Sequence, residues 1–228
     1  MKKQPHYLGH RSRVRKKFLT SLAFGSELHD YELLEILLFA AFTRKDTKIL
    51  AKNLIAKFGD ISAVINADIS RLKEVEGVGE AALAQIKLVA QISRRILKNH
   101  TKENPVLKNW QAVLNYANSL LKDLPNEAFH VLFLDQKYQL IEDKLLAVGE
   151  NNHVAISVKE VARSALMLHA SAVILLHNHP SDNLKPSKSD IQITNEITAV
   201  LKKFEIEVVD HVIIGKSGYF SFRENGLG

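Results

Sequence analysis

The chain has 228 residues, of which 46% are hydrophobic and 25% charged, enough for one large domain or two small ones with a sizeable core. It contains no cysteine, which excludes disulfides, thiolate zinc sites and a cysteine nucleophile and fits a reducing cytoplasm. The net charge of +6 is uneven: residues 1–104 hold 19 Lys and Arg against 11 Asp and Glu, while residues 105–228 hold 12 against 14. That asymmetry fits a half that faces nucleic acid, and it fits a solvated basic face equally well. No apolar segment of the signal-peptide kind follows the basic start, and the longest apolar stretch, Leu33 to Phe42, is interrupted by Glu35 and too short to span a bilayer. A cytoplasmic protein with no membrane partner is expected.

Residues 1–17 carry Lys2, Lys3, Arg11, Arg13, Arg15, Lys16 and Lys17 with no acid among them, which reads as a flexible basic arm or a first short helix. From Asp30 the pattern turns helical, with Leu33, Leu34, Leu37 and Leu38 at three- and four-residue intervals. Asp46 or Thr47 caps a second helix with Ile49, Leu50, Leu54 and Phe58 as its buried stripe and Gly59 at its end. Ile61 to Ala67 forms another short helix. Gly77-Val78-Gly79 then separates two helical patterns, the second running to about Leu97. Such a turn exposes backbone amides at a helix N-terminus, where a phosphate can bind without its bases being read. The plain alternative is a glycine turn in a helical hairpin, and Glu76 and Glu80 beside it oppose an anion.

Lys98 to Pro105 is polar and ends in proline, so residues 99–105 are expected to link a helical domain, 1–98, to a second domain, 106–228. In the second half the pattern predicts a helix over Trp110 to Leu121 and strands over Phe129 to Leu134 and Leu140 to Val148, with a turn at Asp135-Gln136-Lys137. A helix over Val158 to Leu168 precedes a continuous apolar strand, Ala172 to Leu176, of the kind buried on both faces. Pro186 and Ser187 open a helix to about Lys203, followed by a strand from Ile206 to Ile214 and a last short strand near Phe220.

The buried strand runs directly into His177-Asn178-His179-Pro180, with Ser187 and Asp190 beyond. Side chains two apart on a strand share a face, so the two imidazoles can converge, and Asp190 can return to them from the following helix. Two imidazole nitrogens and one carboxylate are a common ligand set for a catalytic zinc with a fourth position left for water, one zinc per chain. Ser187 and Asp190 also read as a capping box, which is compatible with a ligand role because a cap fixes rotamers. The remaining histidines, including His153, His169 and His211, lack ligand spacing; His211 beside Asp210 reads as a structural histidine or as a support for a ligand.

His177-Asn178-His179-Pro180 through Ser187 and Asp190 resembles the JAMM motif of MPN-domain zinc metallopeptidases, whose deubiquitinating members usually have Ser or Thr between the histidines. With the upstream glycine turn the chain is more similar to the bacterial RadC family. The likeness extends through Gly9-His10-Arg11-Ser12-Arg13, Asp30-Tyr31-Glu32-Leu33-Leu34-Glu35, Gly77-Val78-Gly79-Glu80, Phe129 to Asp135 and Asp210-His211. It departs at Ser157-Val158-Lys159-Glu160, where family members often carry a Pro-Arg pair. The resemblance implies an α+β protein of two domains: an all-α helix-hairpin-helix N-terminal domain with a basic arm, then a mixed α/β MPN (JAMM, cytidine-deaminase-like) domain. It also implies a general base just before a strand, the place of Glu127, with Glu142, Asp143 and Glu150 as competing acids. Ser187 is implied to hold the oxyanion.

The expected activity is zinc-dependent cleavage of a peptide or isopeptide bond in an unidentified protein or peptide substrate. The rival is a DNA-binding repair or recombination accessory protein with a structural or vestigial metal site, binding DNA non-specifically through the N-terminal half, with Gly77, Val78 and Gly79 as candidate contacts. A nuclease ranks last because no second acid cluster offers a second metal, and a zinc deaminase lacks its Cys-x-x-Cys ligands.

Overall fold

The computed structural model describes residues 6–21, 25–43, 45–103, 105–149 and 156–227. The chain divides into two compact units, Met1–Ser93 and Arg94–Gly228. The first is helical throughout its described residues: α1 (His6–Thr20), α2 (Asp30–Leu38), α3 (Lys48–Phe58), α4 (Ile61–Asn66), α5 (Ile69–Lys73) and α6 (Glu80–Glu103), the last continuing past the division. Leu34, Leu38, Leu54, Val64, Leu72 and Ile86 are fully buried in its core. Asp60 and Asp68 cap α4 and α5 by accepting the Ala63 and Ser70 amides, which satisfies donors that a helix start leaves unpaired. Glu35, the acid inside the apolar stretch, is buried and accepts a 2.8 Å bond from His10 Nε2.

One open reading takes its helical form and two local expectations change. The basic start, open between arm and helix, is helical from His6, and Arg11 is buried with its guanidinium donating to the carbonyls of Thr43 and Lys45; residues 1–5 lie outside the described residues. Ile49, placed in the buried stripe of α3, is 67% exposed, and the buried face is Leu50, Ala51 and Leu54. The polar segment expected as a linker is largely helix, because α6 runs on to Glu103. Tertiary contacts hold that extension: Arg94 Nε donates to the Ser119 carbonyl at 2.9 Å, Lys98 pairs with Glu142 and Asp143, and Thr101 is buried. Composition alone registers none of these.

In the second unit a single 3₁₀ turn, Val106–Lys108, leads into α7 (Trp110–Leu121), β1 (Ala128–Leu134), β2 (Leu140–Val148), α8 (Val158–Met167), β3 (Ala172–Asn178), α9 (Lys188–Lys202), β4 (Glu207–Ile214) and β5 (Tyr219–Ser221). The sheet order is β2-β1-β3-β4-β5; β3 runs parallel to β4, and the other pairs are antiparallel. This mixed sheet makes the unit α+β.

Because strand side chains alternate, β3 serves two cores. Ala172, Ile174 and Leu176 join Val113, Leu114, Ala117 and Leu121 of α7 on one face. Val173 and Leu175 join Val161 and Ala165 of α8 and Ile197 and Leu201 of α9 on the other. Every residue of β3 is buried, as its unbroken apolar run requires. No helix among the described residues is long and apolar enough to cross a membrane.

His130 lies on β1 in this interior, 8% exposed, with no hydrogen-bond partner for Nδ1 among the described residues. Burial pulls its pKa from the ordinary 6.5 to about 4, outweighing the nearby Asp143. The unfolded chain therefore takes up a proton that the folded unit refuses, and stability present above pH 6.5 is lost as pH falls toward 4. Full loss corresponds to about 3 kcal/mol at roughly 1.4 kcal/mol per pH unit. Urea unfolding followed from pH 7 to pH 4.5 should show a shallower loss for His130→Leu than for the wild type; equal slopes would contradict this assignment.

Candidate metal centre

The site forms where β3 ends and α9 begins. His177 belongs to β3, and His179 extends the parallel ladder by one bond, its amide donating to the Ile214 carbonyl at 2.9 Å. The two rings meet edge to face with centroids 4.7 Å apart. Ser187 caps α9: its Oγ accepts the Asp190 amide at 3.1 Å, and Asp190 Oδ2 accepts the Ser187 amide at 2.7 Å. This reciprocal box holds the Asp190 carboxylate toward the histidines. Both readings of Ser187 and Asp190, cap and site, thus fall on one geometry.

His177 Nε2 and His179 Nε2 are 2.9 Å apart, and each lies 3.5 Å from a carboxylate oxygen of Asp190. Four ligands at about 2.0–2.1 Å from one centre stand about 3.3–3.4 Å apart, so these separations fit a single small cation. His177, His179 and Asp190 form the one group among the described residues in which three such ligand atoms gather.

The surrounding hydrogen bonds decide which nitrogens carry protons. Thr194 Oγ1 donates to the Asp190 backbone carbonyl at 2.5 Å, so at 2.6 Å it accepts from His211 Nδ1. His211 Nε2 is then an acceptor and takes the proton of His177 Nδ1 at 2.7 Å. His177 Nε2 is left with a bare lone pair. His179 Nδ1 donates to the Asn183 carbonyl at 2.5 Å, which leaves its Nε2 bare when that ring is neutral. Two lone pairs aimed at each other across 2.9 Å repel unless a proton or a cation lies between them. The donor set therefore fits a divalent ion, with neutral imidazoles as ligands.

Electrostatics divide the two rings. Burial drives His177 down to about 4, against the pull of Asp190, so it is neutral at pH 7. Fully buried His211 is pushed well below 6.5 by desolvation and by His177. Burial opposes the charge of His179, but Asp190, the Asn183 carbonyl and Glu127 outweigh it and raise its pKa. Burial would raise Asp190, yet the two imidazoles and Ser187 hold it well below the usual carboxylate range.

The ligand atoms open into a cavity of about 410 Å³ whose lining includes Glu127, Phe129, Ser181, Asn183, Ser187 and Ile193. Glu127 and Ser187 thus share this cavity with the three candidate ligands. Of the competing acids, Glu142 and Asp143 are paired with Lys98, and Asp143 also accepts from Tyr116; Glu150, like His153, lies outside the described residues. The loop after His179 is fastened to the β4–β5 turn, where Asp182 Oδ1 accepts both the amide and the hydroxyl of Ser217. A Cβ at Gly215 would meet Asp182 Oδ1 and Leu184 Cδ2 at 2.6 Å, so the ends of those two side chains would have to shift.

His211, read from the sequence as a structural histidine or a support for a ligand, is bonded to His177. It stands 34 residues from His177 and on another strand, so no local pattern links them; only the β3–β4 pairing brings the rings together. Gly77, Val78 and Gly79 belong to the first unit, in the turn between α5 and α6, with Gly77 at φ +91°. Ser157, where the family pattern departs, caps α8 by accepting the Glu160 amide.

The carboxy-terminal unit is thus a mixed sheet with two histidines and a carboxylate gathered at the end of β3. The sequence model of the RadC-like JAB domain matches residues 107–227, and the chain belongs to this family.

If His211 sets the His177 tautomer, His211→Ala should weaken zinc binding about 10–100-fold, and Thr194→Val should act in the same direction. Competitive zinc titration with a chromophoric chelator measures this; unchanged affinity in both variants would contradict the assigned hydrogen-bond chain.

Proposed function

We propose that the carboxy-terminal unit is a zinc-dependent hydrolase of peptide or isopeptide bonds that holds one zinc per chain through His177, His179 and Asp190. The observation that carries this reading is the convergence of the two Nε2 atoms, 2.9 Å apart, on the Asp190 carboxylate, each 3.5 Å from one of its oxygens. Membership of the JAB-type family supports it. When bound, zinc supplies positive charge that polarises a carbonyl and brings the pKa of water to roughly 7.

The chain's own groups would do the rest. Glu127, half-buried on the cavity wall, accepts the proton of the attacking water and returns it to the departing nitrogen. Ser187 Oγ accepts the Asp190 amide and shares a 2.8 Å hydrogen bond with Ser189 Oγ; with Ser189 as donor of that bond, the Ser187 O–H can donate a hydrogen bond to the oxyanion that develops on the scissile carbonyl. Phe129, Ile156 and Ile193 provide an apolar wall, and Ser181, Asn183 and Lys185 a polar one, suited to a chain carrying both backbone and side-chain groups.

The test is elemental analysis together with profiling on a peptide library. Wild type should hold about one zinc and His177→Ala almost none. Glu127→Gln should still load with zinc at saturation yet lose at least about 100-fold in hydrolysis. Wild type that stays metal-free in excess zinc would overturn the proposal.

A further inference from the structure

We infer that Asn178, the residue between the two candidate histidine ligands, is a positioning residue that holds Glu127 in place. The inference rests on the hydrolase reading above, in which Glu127 is the base. Strand alternation turns the Asn178 side chain away from His177 and His179, toward the face covered by α7. There it is 2% exposed, and its three hydrogen bonds all go to one segment, the link from α7 into β1. Its Oδ1 accepts the Ala128 amide at 2.8 Å. Its Nδ2 donates to the Asn126 carbonyl at 3.1 Å and to the Leu124 carbonyl at 3.5 Å.

Glu127 is thus bracketed. The peptide groups on both sides of it are tied to Asn178, and its own carbonyl accepts the Gly149 amide at 2.7 Å. One residue of β3 therefore sets the distance between the base and the metal ligands, because ligands and clamp are neighbours on a single buried strand. The chemistry is specific to a carboxamide. Asparagine offers an acceptor for the amide and two donors for the carbonyls. Serine has a single donor, and an aspartate would keep the acceptor while aiming a negative oxygen at two carbonyls.

A double-mutant cycle read by zinc affinity tests this without a known substrate. Glu127 lines the cavity into which the candidate ligand atoms open, so removing its charge with Glu127→Gln should weaken zinc binding about threefold to tenfold. Asn178→Ala should weaken it by a similar factor by releasing that carboxylate, and should add nothing in the Glu127→Gln background. A merely structural role would weaken binding equally in both backgrounds, and that result overturns the inference. So does an Asn178→Ala variant with wild-type affinity, or a Glu127→Gln variant without any effect. Wild type that binds no zinc overturns the hydrolase reading first, and is told apart because it needs no variant. Thermal melting reports folding; should the alanine variant not fold, Asn178→Ser, which keeps one bond, carries the same cycle.

Discussion

The constraint on which the second unit depends is the two-sidedness of β3. A strand buried on both faces must satisfy two packing layers at once, and its side chains can do so only by alternating. Ala172, Ile174 and Leu176 serve the α7 side, and Val173 and Leu175 serve the α8 and α9 side. When the apolar run ends, the alternation continues into polar residues: His177 faces α9, whose first turn brings Asp190, and Asn178 faces the segment that carries Glu127. A one-residue slip of this strand would exchange the two faces and dismantle both the histidine pair and the contacts of Asn178. The packing that stabilises the sheet is therefore also what places the chemistry.

The polar chain behind the ligands follows from the same burial. A buried imidazole without a partner is unfavourable, and His177 and His211 answer it by bonding to each other, with Thr194 and the Asp190 backbone carbonyl completing the chain. Phe129 and Phe222 enclose His211, with Phe222 stacked on it at 4.7 Å. This apolar enclosure keeps both imidazoles neutral, and neutral imidazole is the form that can ligate a cation. Asp190 contributes twice, as a carboxylate facing the site and as a backbone carbonyl ending the chain behind it.

Much of this was legible in the sequence, for physical reasons that can be named. α7 spans Trp110–Leu121 as its periodicity predicts, and β2 spans Leu140–Val148, because amphipathic patterns with clear capping and turn residues report local structure well. The likeness of His177 through Asp190 to the JAMM motif agrees with the family match over residues 107–227. What stayed hidden depended on distant contacts. α6 passes through a polar segment because Arg94, Lys98 and Thr101 find partners far along the chain. Ile49 faces outward because its helix is rotated to bury Ala51. The partner of His211 became visible only through the pairing of β3 with β4, and the contacts of Asn178 only through three bonds to residues 50 to 54 positions upstream.

The most direct test is X-ray absorption at the zinc edge on the wild-type chain loaded with one equivalent of zinc. Our account requires two imidazole nitrogens at about 2.0–2.1 Å and oxygen ligands near 2.0–2.2 Å, with the imidazole signal reduced in a His179→Ala sample. A spectrum dominated by oxygen ligands alone, or one unchanged by that substitution, would contradict it.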